Sequence, residues 1–461
     1  LYVEQASGRI EAAAEAAGPS AIGPTLADTL SLILRNPDGR FSANRTDGPL
    51  YADISGNGGY DKQIKVDVGM VLPDTSIEYV QQFQGYLKEP DESLRPKTIA
   101  FQAHGLAGRA ATSRKSTNLY TNTRSDTYLE TLRNLLSPAP SWASGGQDVG
   151  VEYLPYAWMD DEGVWAEMVR VAEAEGGRVY FDKDGYLRFE SYTHWLQHSS
   201  SLVTFTIASF GDLRPRFDWQ NLWDHVIVKW RPRFIAGQQI VWQAAEPIAV
   251  PPSGSKTVWA QMQSPAYALV APERTTDYTA KTAAYVDKSA DLTVTIPAAG
   301  AANRYAQRVL VTLTNANTLH QLFCSVQLRG YPILVTEERT AEAKASDTPA
   351  RVNEIDNLYI QSEVAAQAMA DMLLARYKNP RCFVELRGVP GLPYLEVGDR
   401  CTVTETATGI NRDFILTRIG WRFDRKFSQD LTLIDAASLY SYADYFVIGT
   451  TALGTAGRAF Y

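Results

Sequence analysis

A short acidic run is the first place where the sequence offers metal-binding chemistry. Residues 182–185 read Asp-Lys-Asp-Gly, which is similar to the start of a calcium-binding loop. Such a loop needs a third oxygen ligand before its glycine and a glutamate after it, and here Gly185 comes two residues early. The run therefore predicts the turn of a β-hairpin between residues 178–181 and 186–189.

Two histidines four residues apart are a second candidate, because that spacing places both rings on one face of a helix. They are His194 and His198, and the sequence nearby supplies no third ligand. A Ser-His-Asp arrangement has no local signal, since His104, His225 and His320 each stand alone. We therefore expect no metal, no cofactor and no catalytic residue, and a protein that is not an enzyme.

The densest group of carboxylates has a structural explanation as well. Asp160-Asp161-Glu162 stands at the predicted start of a helix, where the helix dipole favours acidic side chains. The glycine pair after Asn57 is not followed by the lysine that a phosphate-binding loop requires. Neither pattern calls for an active site.

Composition narrows the class of protein. The chain has 461 residues and a formal net charge of −8, which argues against a dedicated nucleic-acid binder with a basic surface. No apolar run reaches the roughly 18 residues that a membrane-spanning helix needs. The first residue is Leu1 and not an initiator methionine, which leaves open that the sequence is a segment of a longer chain.

The three cysteines are too few and too scattered for a disulfide framework or a zinc site, and we expect them to be buried free thiols. They are Cys324, Cys382 and Cys401.

Short alternating segments separated by turn residues occupy the N-terminal part of the chain. Residues 30–34 alternate and are followed by Asn36-Pro37-Asp38-Gly39, and further strands are predicted at 63–68, 77–87 and 97–103. Residues 1–29 show only a weak strand at 1–3. This spacing indicates a small barrel or a sandwich, and we assign residues 1–110 plus 202–235 to this unit.

Helical periods interrupt the strands in the middle of the chain and return near its end. We expect an α+β domain at 111–201, an inserted β domain at 236–360, and a helix with a second barrel at 361–437. The helix at 362–377 is the clearest in the chain, with Ser362 as its N-cap. Residues 438–461 stay unassigned.

Several motifs in chain order resemble phage tail-tip and baseplate hub proteins, a family with two tandem β-barrels that occurs in contractile and non-contractile tails and related injection systems. In the first barrel these are LSLILRNPDGRFS, QIKVDVGM and EYVQQFQGYLKEP. VELRGVPGLPYLEVGDRCTVTE resembles the family's second barrel, and GVWAEMVRVAEAEGGRVYFDKDGYLRF its α+β domain.

The resemblance implies a mainly β fold with an α+β domain and an inserted β domain, in which two small barrels per subunit form a ring in a homotrimer. It implies a virion protein at the tail tip that functions in genome ejection and host attachment. The implied partners are the tail tube or distal tail ring, the tape-measure protein, tip spike or fibre proteins, DNA in transit without specific binding, and the host cell surface. The turns of the barrels would contain Asn36, Asp38, Gly39, Gly85, Gly388, Gly398 and Asp399.

Two other functions remain open at this point. A tail-associated cell-wall hydrolase would need two carboxylates roughly 5 to 9.5 Å apart in a cleft. A carbohydrate-binding protein would use residues 256–350 as its binding module and would show exposed, coplanar aromatic rings there. The candidates are Trp259 and Tyr267, and we expect both to be packed rather than exposed.

Overall fold

The fold is that of a computed structural model. It describes residues 3–11, 28–42, 44–49, 51, 62–88, 90–95, 97–194, 200–424, 426–439, 445–446 and 458–459. His198, Asn57 with the two glycines that follow it, and most of 438–461 lie outside these residues. Among the described residues, no helix is both long and apolar enough to span a membrane.

The elements are mostly β-strands, which confirms the mainly β fold class. The helices are α1 (Leu106–Ala110), α2 (Ser125–Arg133), α3 (Val164–Ala174) and α4 (Glu363–Tyr377). In chain order the strands are β1 (Val3–Glu11), β2 (Thr29–Arg35), β3 (Gln63–Val71), β4 (Ile77–Leu87), β5 (Asp91–Leu94), β6 (Lys97–Gly105), β7 (Arg114–Lys115), β8 (Tyr120–Arg124), β9 (Trp142–Gln147), β10 (Tyr153–Ala157), β11 (Glu162–Gly163), β12 (Arg178–Phe181), β13 (Leu187–Glu190), β14 (Val203–Phe205), β15 (Asp212–Asp218), β16 (His225–Trp230), β17 (Arg233–Ile235), β18 (Gln239–Gln243), β19 (Ile248–Val250), β20 (Ser255–Gln261), β21 (Ala266–Leu269), β22 (Tyr278–Lys281), β23 (Leu292–Thr295), β24 (Arg308–Asn315), β25 (Leu322–Val335), β26 (Arg339–Lys344), β27 (Val352–Asp356), β28 (Arg381–Pro390), β29 (Arg400–Glu405), β30 (Ile410–Asp424), β31 (Lys426–Asp435), β32 (Tyr445–Phe446) and β33 (Arg458–Ala459).

A twelve-stranded sheet, here called the shared sheet, contains both of the predicted strand sets. Its main path is β15-β28-β31-β30-β1-β2-β6-β4-β3, with β29 on β30, β14 on β29 and β5 on β6. Strand β1 joins the two sets, because Gly8 pairs with Leu30 on one side and with Trp421 on the other. The nine-residue strand β1 begins at Val3, the last residue of the predicted weak strand at 1–3, and its remaining residues were not predicted as a strand; residues 1 and 2 lie outside the described part of the chain.

The topology corrects the assignment of residues 202–235 to the N-terminal barrel. Strands β14 and β15 pair with β29 and β28 of the C-terminal set, and β16 pairs with β26 and β27 in a separate three-stranded sheet. A hydrogen-bonding edge accepts any strand of suitable shape, so alternation alone did not identify the partners. Among the described strands, β3 and β15 are the two ends of the main path.

Both strand sets also share one hydrophobic core. Leu30 and Phe83 from the N-terminal set are buried in the same cluster as Phe383, Phe414 and Trp421 from the C-terminal set. Burying about 150–250 Å² per aromatic side chain makes such rings large contributors to stability. The two sets therefore pack as one body.

The α+β unit has its own core, and α4 belongs to it. Met369 and Leu373 of α4 are buried in one cluster with Met168 of α3. The predicted N-cap is present, since the Ser362 hydroxyl accepts a hydrogen bond from the Ala365 amide at 3.1 Å. The assignment of this helix to the second barrel is corrected, because its apolar face packs on β16 and β26.

The inserted β domain is built around the 14-residue strand β25, which pairs with β17, β18, β19, β21 and β22. A second sheet, β20-β24-β23, packs on the same core.

All three cysteines are buried free thiols. Cys324 lies in the inserted domain, and Cys382 and Cys401 lie in the shared sheet. The expectation that Trp259 and Tyr267 are packed is wrong, because they are 48% and 52% exposed.

Candidate functional site

Three segments that are distant in the sequence meet at one place, here called the central junction. They are Gln81 and Gln82 of β4, the turn at 182–185 between β12 and β13, and the loop at 391–399 between β28 and β29. The turn has the geometry expected of a β-hairpin: the Gly185 amide donates to the Asp182 carbonyl at 3.0 Å. The Asp182 carboxylate accepts from the amides of Asp184 and Tyr186 at 3.1 and 2.8 Å.

Lys183 is the main link between the turn and the loop. Its ammonium donates to the carbonyl oxygens of Pro393 and Tyr394, at 3.1 Å each, and lies 3.6 Å from the Glu396 carboxylate. The residue is only 9% exposed. Hydrogen bonds from a charged donor are stronger than those between neutral groups. The buried Lys183 therefore holds the α+β unit against the C-terminal strand set.

Strand β4 joins the same contacts through two glutamines. The Gln81 side-chain amide donates to the Lys183 carbonyl at 2.7 Å, and the side-chain amide of the buried Gln82 donates to the Pro393 carbonyl at 2.8 Å. Gly185 has a φ of +85°, and a β-carbon there would lie 2.7 Å from the Gln84 side chain. All three parts of the chain are therefore tied together at the central junction.

A buried ion pair lies beside these contacts. The Arg178 guanidinium donates to Glu190 at 2.5 and 3.1 Å and to the Val397 carbonyl at 3.3 Å. The Tyr180 hydroxyl donates to the same carboxylate at 2.6 Å. Burial opposes ionisation of Glu190, but Arg178 and these hydrogen bonds hold its pKa below the usual value. Both charges are thus paired and hydrogen-bonded, as buried charges require.

His194 pairs with a carboxylate in this region. Its Nδ1 atom lies 3.0 Å from the Asp148 carboxylate and its Nε2 atom 3.8 Å from Glu190. Burial lowers the pKa of His194, but Asp148 and Glu190 outweigh it and the net shift is upward. Among the described residues, no group of three or more histidine, cysteine or acidic side chains could hold a metal.

Other carboxyls close to the central junction are harder to ionise. Burial, with a further contribution from the negative charge of Asp182, raises the pKa of Asp28 to about 8. One of its oxygens is buried and makes no hydrogen bond to a described residue. Burial also raises the pKa values of Glu396 and Asp399. With a pKa of about 8, Asp28 is mostly protonated at neutral pH. The contacts at the central junction link three parts of the chain, which is a structural role.

Two of the predicted turn residues lie at the central junction. Gly398 has a φ of +110° and donates to the Leu416 carbonyl at 2.6 Å. The Asp399 carboxylate accepts from the Glu396 amide at 2.7 Å, which closes the turn. The prediction of Gly85 as a turn residue is wrong, because it lies within β4, opposite Gly105 of β6, where a β-carbon would overlap the His104 carbonyl.

The remaining predicted turn residues lie elsewhere. Gly388, with a φ of +66°, lies at the bulge between β28 and β31 and donates to Asp430 at 2.9 Å. Asn36 is buried at the far end of β2, where its carbonyl accepts from the Gly39 amide at 3.1 Å. Gly39 has a φ of +68°, and Asp38 accepts from the Arg40 amide at 3.3 Å. The structure does not bring these two turns to the central junction.

The acidic run at 160–162 precedes α3 rather than forming its first turn. The helix begins at Val164, and Glu167 is its first-turn acid. Asp160 instead accepts from Gln261 at 2.6 Å and lies 3.7 Å from the Arg308 guanidinium. The run therefore contacts the inserted β domain.

Sequence reasoning missed most of the central junction. Lys183 and its carbonyl partners are 210 and 211 positions apart, and Gln82 is 311 positions from Pro393. No local spacing reports such pairs. The run at 182–185 predicted the turn itself but not the contacts of its lysine.

No family model and no curated protein matches the chain. Among solved structures, it is similar to a tail protein from Neisseria meningitidis MC58, with 11% identity over 95% of this chain and 93% of that one, at a TM-score of 0.49. It is also similar to the 43 kDa tail protein of prophage MuSo2 from Shewanella oneidensis, with 9% identity over 95% and 96% of the chains and a TM-score of 0.46. Prophage tail protein gp18 from Listeria monocytogenes EGD-e aligns at 8% identity over 94% and 87%, with a TM-score of 0.41.

Proposed function

We propose that the chain is the structural hub of a phage or phage-like tail tip. Three copies would form a ring that joins the hexameric tail tube to the tip spike or fibres and encloses the channel for DNA and tape-measure protein. The hub would have no catalytic role. The proposal rests on the motifs that resemble tail hubs and on the two ends of the shared sheet.

The observation that supports a ring of three copies is the exposed apolar surface at both ends of the shared sheet. At one end, the tip of the β3–β4 hairpin exposes Val71, Ile77 and Tyr79, of which Tyr79 is 68% exposed. At the other end, Phe217 of β15 and Trp219 just after it are 54% and 63% exposed. Exposed large apolar side chains at a sheet edge favour contact with another chain.

The two ends differ in sequence, so a contact between them would be head-to-tail. Head-to-tail contacts generate closed rings when the rotation between neighbours closes. Three copies would place six strand sets around one axis, which fits a six-fold tube. The central junction would keep the two sets of each copy in a fixed relation.

The charge of the C-terminal strand set agrees with a passage for DNA. Residues 381–435 contain eight Lys and Arg and eight Asp and Glu. Each neutralised phosphate adds salt-dependent affinity, so a channel with no excess of positive charge would let DNA pass without holding it. A hub at the tail tip would lie next to the distal tail ring, with its outer parts near the host surface.

Oligomeric mass in solution tests the proposal. We expect light scattering after gel filtration at micromolar concentration to give three times the chain mass of 51.0 kDa. The substitutions Tyr79→Asp and Trp219→Asp should each yield monomers, because a charge at a contact must be desolvated. The matched control is Tyr285→Asp, at a tyrosine of the inserted domain that is 84% exposed, and it should leave the trimer intact.

A wild-type protein that stays monomeric under these conditions would argue against the ring. Antibody labelling of particles gives a second readout, since a hub should be labelled at the tail tip. Label spread along the tail or confined to the head would contradict the proposed location.

A further inference from the structure

One face of the sheet β20-β24-β23 in the inserted domain is lined with hydroxyl groups. Its opposite face carries Val309, Val311 and Leu313, which are fully buried in the domain core. The strand register places six hydroxyl side chains in two rows across the three strands. These residues, here called the hydroxyl face, are Ser255, Thr314 and Thr293 in one row and Thr257, Thr312 and Thr295 in the next.

An aromatic pair borders the hydroxyl face. Trp259 follows Thr257 by two positions on β20, so its side chain is on the same face, and it is 48% exposed. Its ring and that of Tyr305 are inclined by only 24°, with centroids 6.0 Å apart. Trp259 is therefore an exposed ring that lies nearly parallel to the half-buried ring of Tyr305.

A charged side chain holds these rings in position. The Arg308 guanidinium lies 5.6 Å from the Trp259 ring centroid and 5.1 Å from that of Tyr305. It also lies 3.7 Å from the Asp160 carboxylate, which in turn accepts from Gln261 at 2.6 Å. Cation–π contact and the neighbouring carboxylate restrict the indole ring, and a pre-ordered ring loses less entropy when a ligand binds.

This combination of groups matches the chemistry of a sugar chain. A pyranose ring has an apolar C–H side that packs on an aromatic ring, and hydroxyls that both donate and accept hydrogen bonds. Threonine and serine hydroxyls also do both. Neighbouring strands lie about 4.8 Å apart, close to the length of one sugar unit, so successive strands can meet successive units.

The hydroxyl face carries no net charge, which favours a neutral ligand over a polyanion. The six hydroxyl residues and Trp259 are neutral, and Arg308 faces Asp160, whereas a polyanion would be bound by unpaired cations. A protein partner would bury large apolar side chains at the core of its contact, and the two hydroxyl rows offer none. We propose that the hydroxyl face and Trp259 bind a neutral polysaccharide, and this inference does not depend on the hub function.

Affinity electrophoresis of the full chain tests the inference, with dextran, laminarin or galactomannan cast in the gel and dextran sulfate as the polyanion. We expect at least one neutral polysaccharide to retard the protein. Trp259→Ala should weaken this binding roughly tenfold or more, which corresponds to the loss of about 1.4 kcal/mol. The matched control is Tyr267→Ala, at a tyrosine of the same domain with 52% exposure, and it should bind like the wild type.

A double substitution, Thr257→Val with Thr295→Val, keeps the side-chain shape and removes two hydroxyl groups. It tests polysaccharide binding independently if the Trp259→Ala protein does not fold. We expect it to weaken retardation while the thermal unfolding midpoint is unchanged. Three results would overturn the inference: no retardation by any neutral polysaccharide, retardation by dextran sulfate alone, or equal weakening by Tyr267→Ala and Trp259→Ala.

Discussion

The central junction predicts a large local effect for Lys183→Met. The substitution removes two hydrogen bonds from a charged donor to the carbonyls of Pro393 and Tyr394. Each such bond contributes about 1.5–3 kcal/mol, and the flexible methionine side chain recovers part of the loss by packing. We therefore expect the loop at 391–399 to open more easily by about 2–4 kcal/mol.

Native-state hydrogen exchange reads this free energy at single amides. In the wild type the amides of Leu395, Gly398 and Asp399 donate to Leu392, Leu416 and Glu396, at 3.1, 2.6 and 3.1 Å. A loss of about 2–4 kcal/mol makes their exchange roughly 30- to 700-fold faster. Amides of the inserted domain should exchange as before, because the hydrogen bonds and ion pair of Lys183 to described residues all lie at the central junction.

The matched control is Lys97→Met. The Lys97 ammonium also donates to a backbone carbonyl, that of Pro37 at 3.1 Å, but in an exposed turn. Water replaces such a bond at little cost, so we expect a change within about 0.5 kcal/mol. The reasoning is refuted if Lys183→Met leaves exchange in the loop unchanged, or if both lysine substitutions give equal local effects.

Two further predictions concern Asp28 and Gly85. Because burial and the charge of Asp182 raise the pKa of Asp28 to about 8, its neutral form stabilises the fold at low pH and this contribution is lost as the pH rises toward 8. Asp28→Asn stays neutral, so between pH 5 and pH 8 urea denaturation should show it gaining roughly 4 kcal/mol relative to the wild type, whereas a constant difference would contradict the assignment. Gly85→Ala would place a β-carbon against the His104 carbonyl, and it should cost about 2–3 kcal/mol in the same assay. The control is Gly237→Ala, because an added β-carbon there would have no atom within 4 Å apart from its chain neighbours, and it should change stability by less than about 0.5 kcal/mol. Equal effects would show that the close approach at Gly85 is unimportant.

Local features of this protein were readable from the sequence alone. Ser362 and the apolar period after it identify α4, and the turn residues at 182–185 identify the hairpin of β12 and β13. Gly39, Gly388 and Gly398 all have a positive φ, a conformation that glycine adopts without a steric cost. Capping, turn preference and apolar period act over a few residues, so a short stretch of sequence contains the whole interaction.

The partners of these elements were decided by the tertiary structure. The sequence did not show that β1 joins the two strand sets, that β14 and β15 belong to the C-terminal set, or that α4 packs in the α+β core. Nor did it show that Lys183 reaches Pro393. The physical reason is that a strand edge, an apolar face and a charged side chain each accept many partners, and the choice depends on which segments the whole chain brings within contact distance.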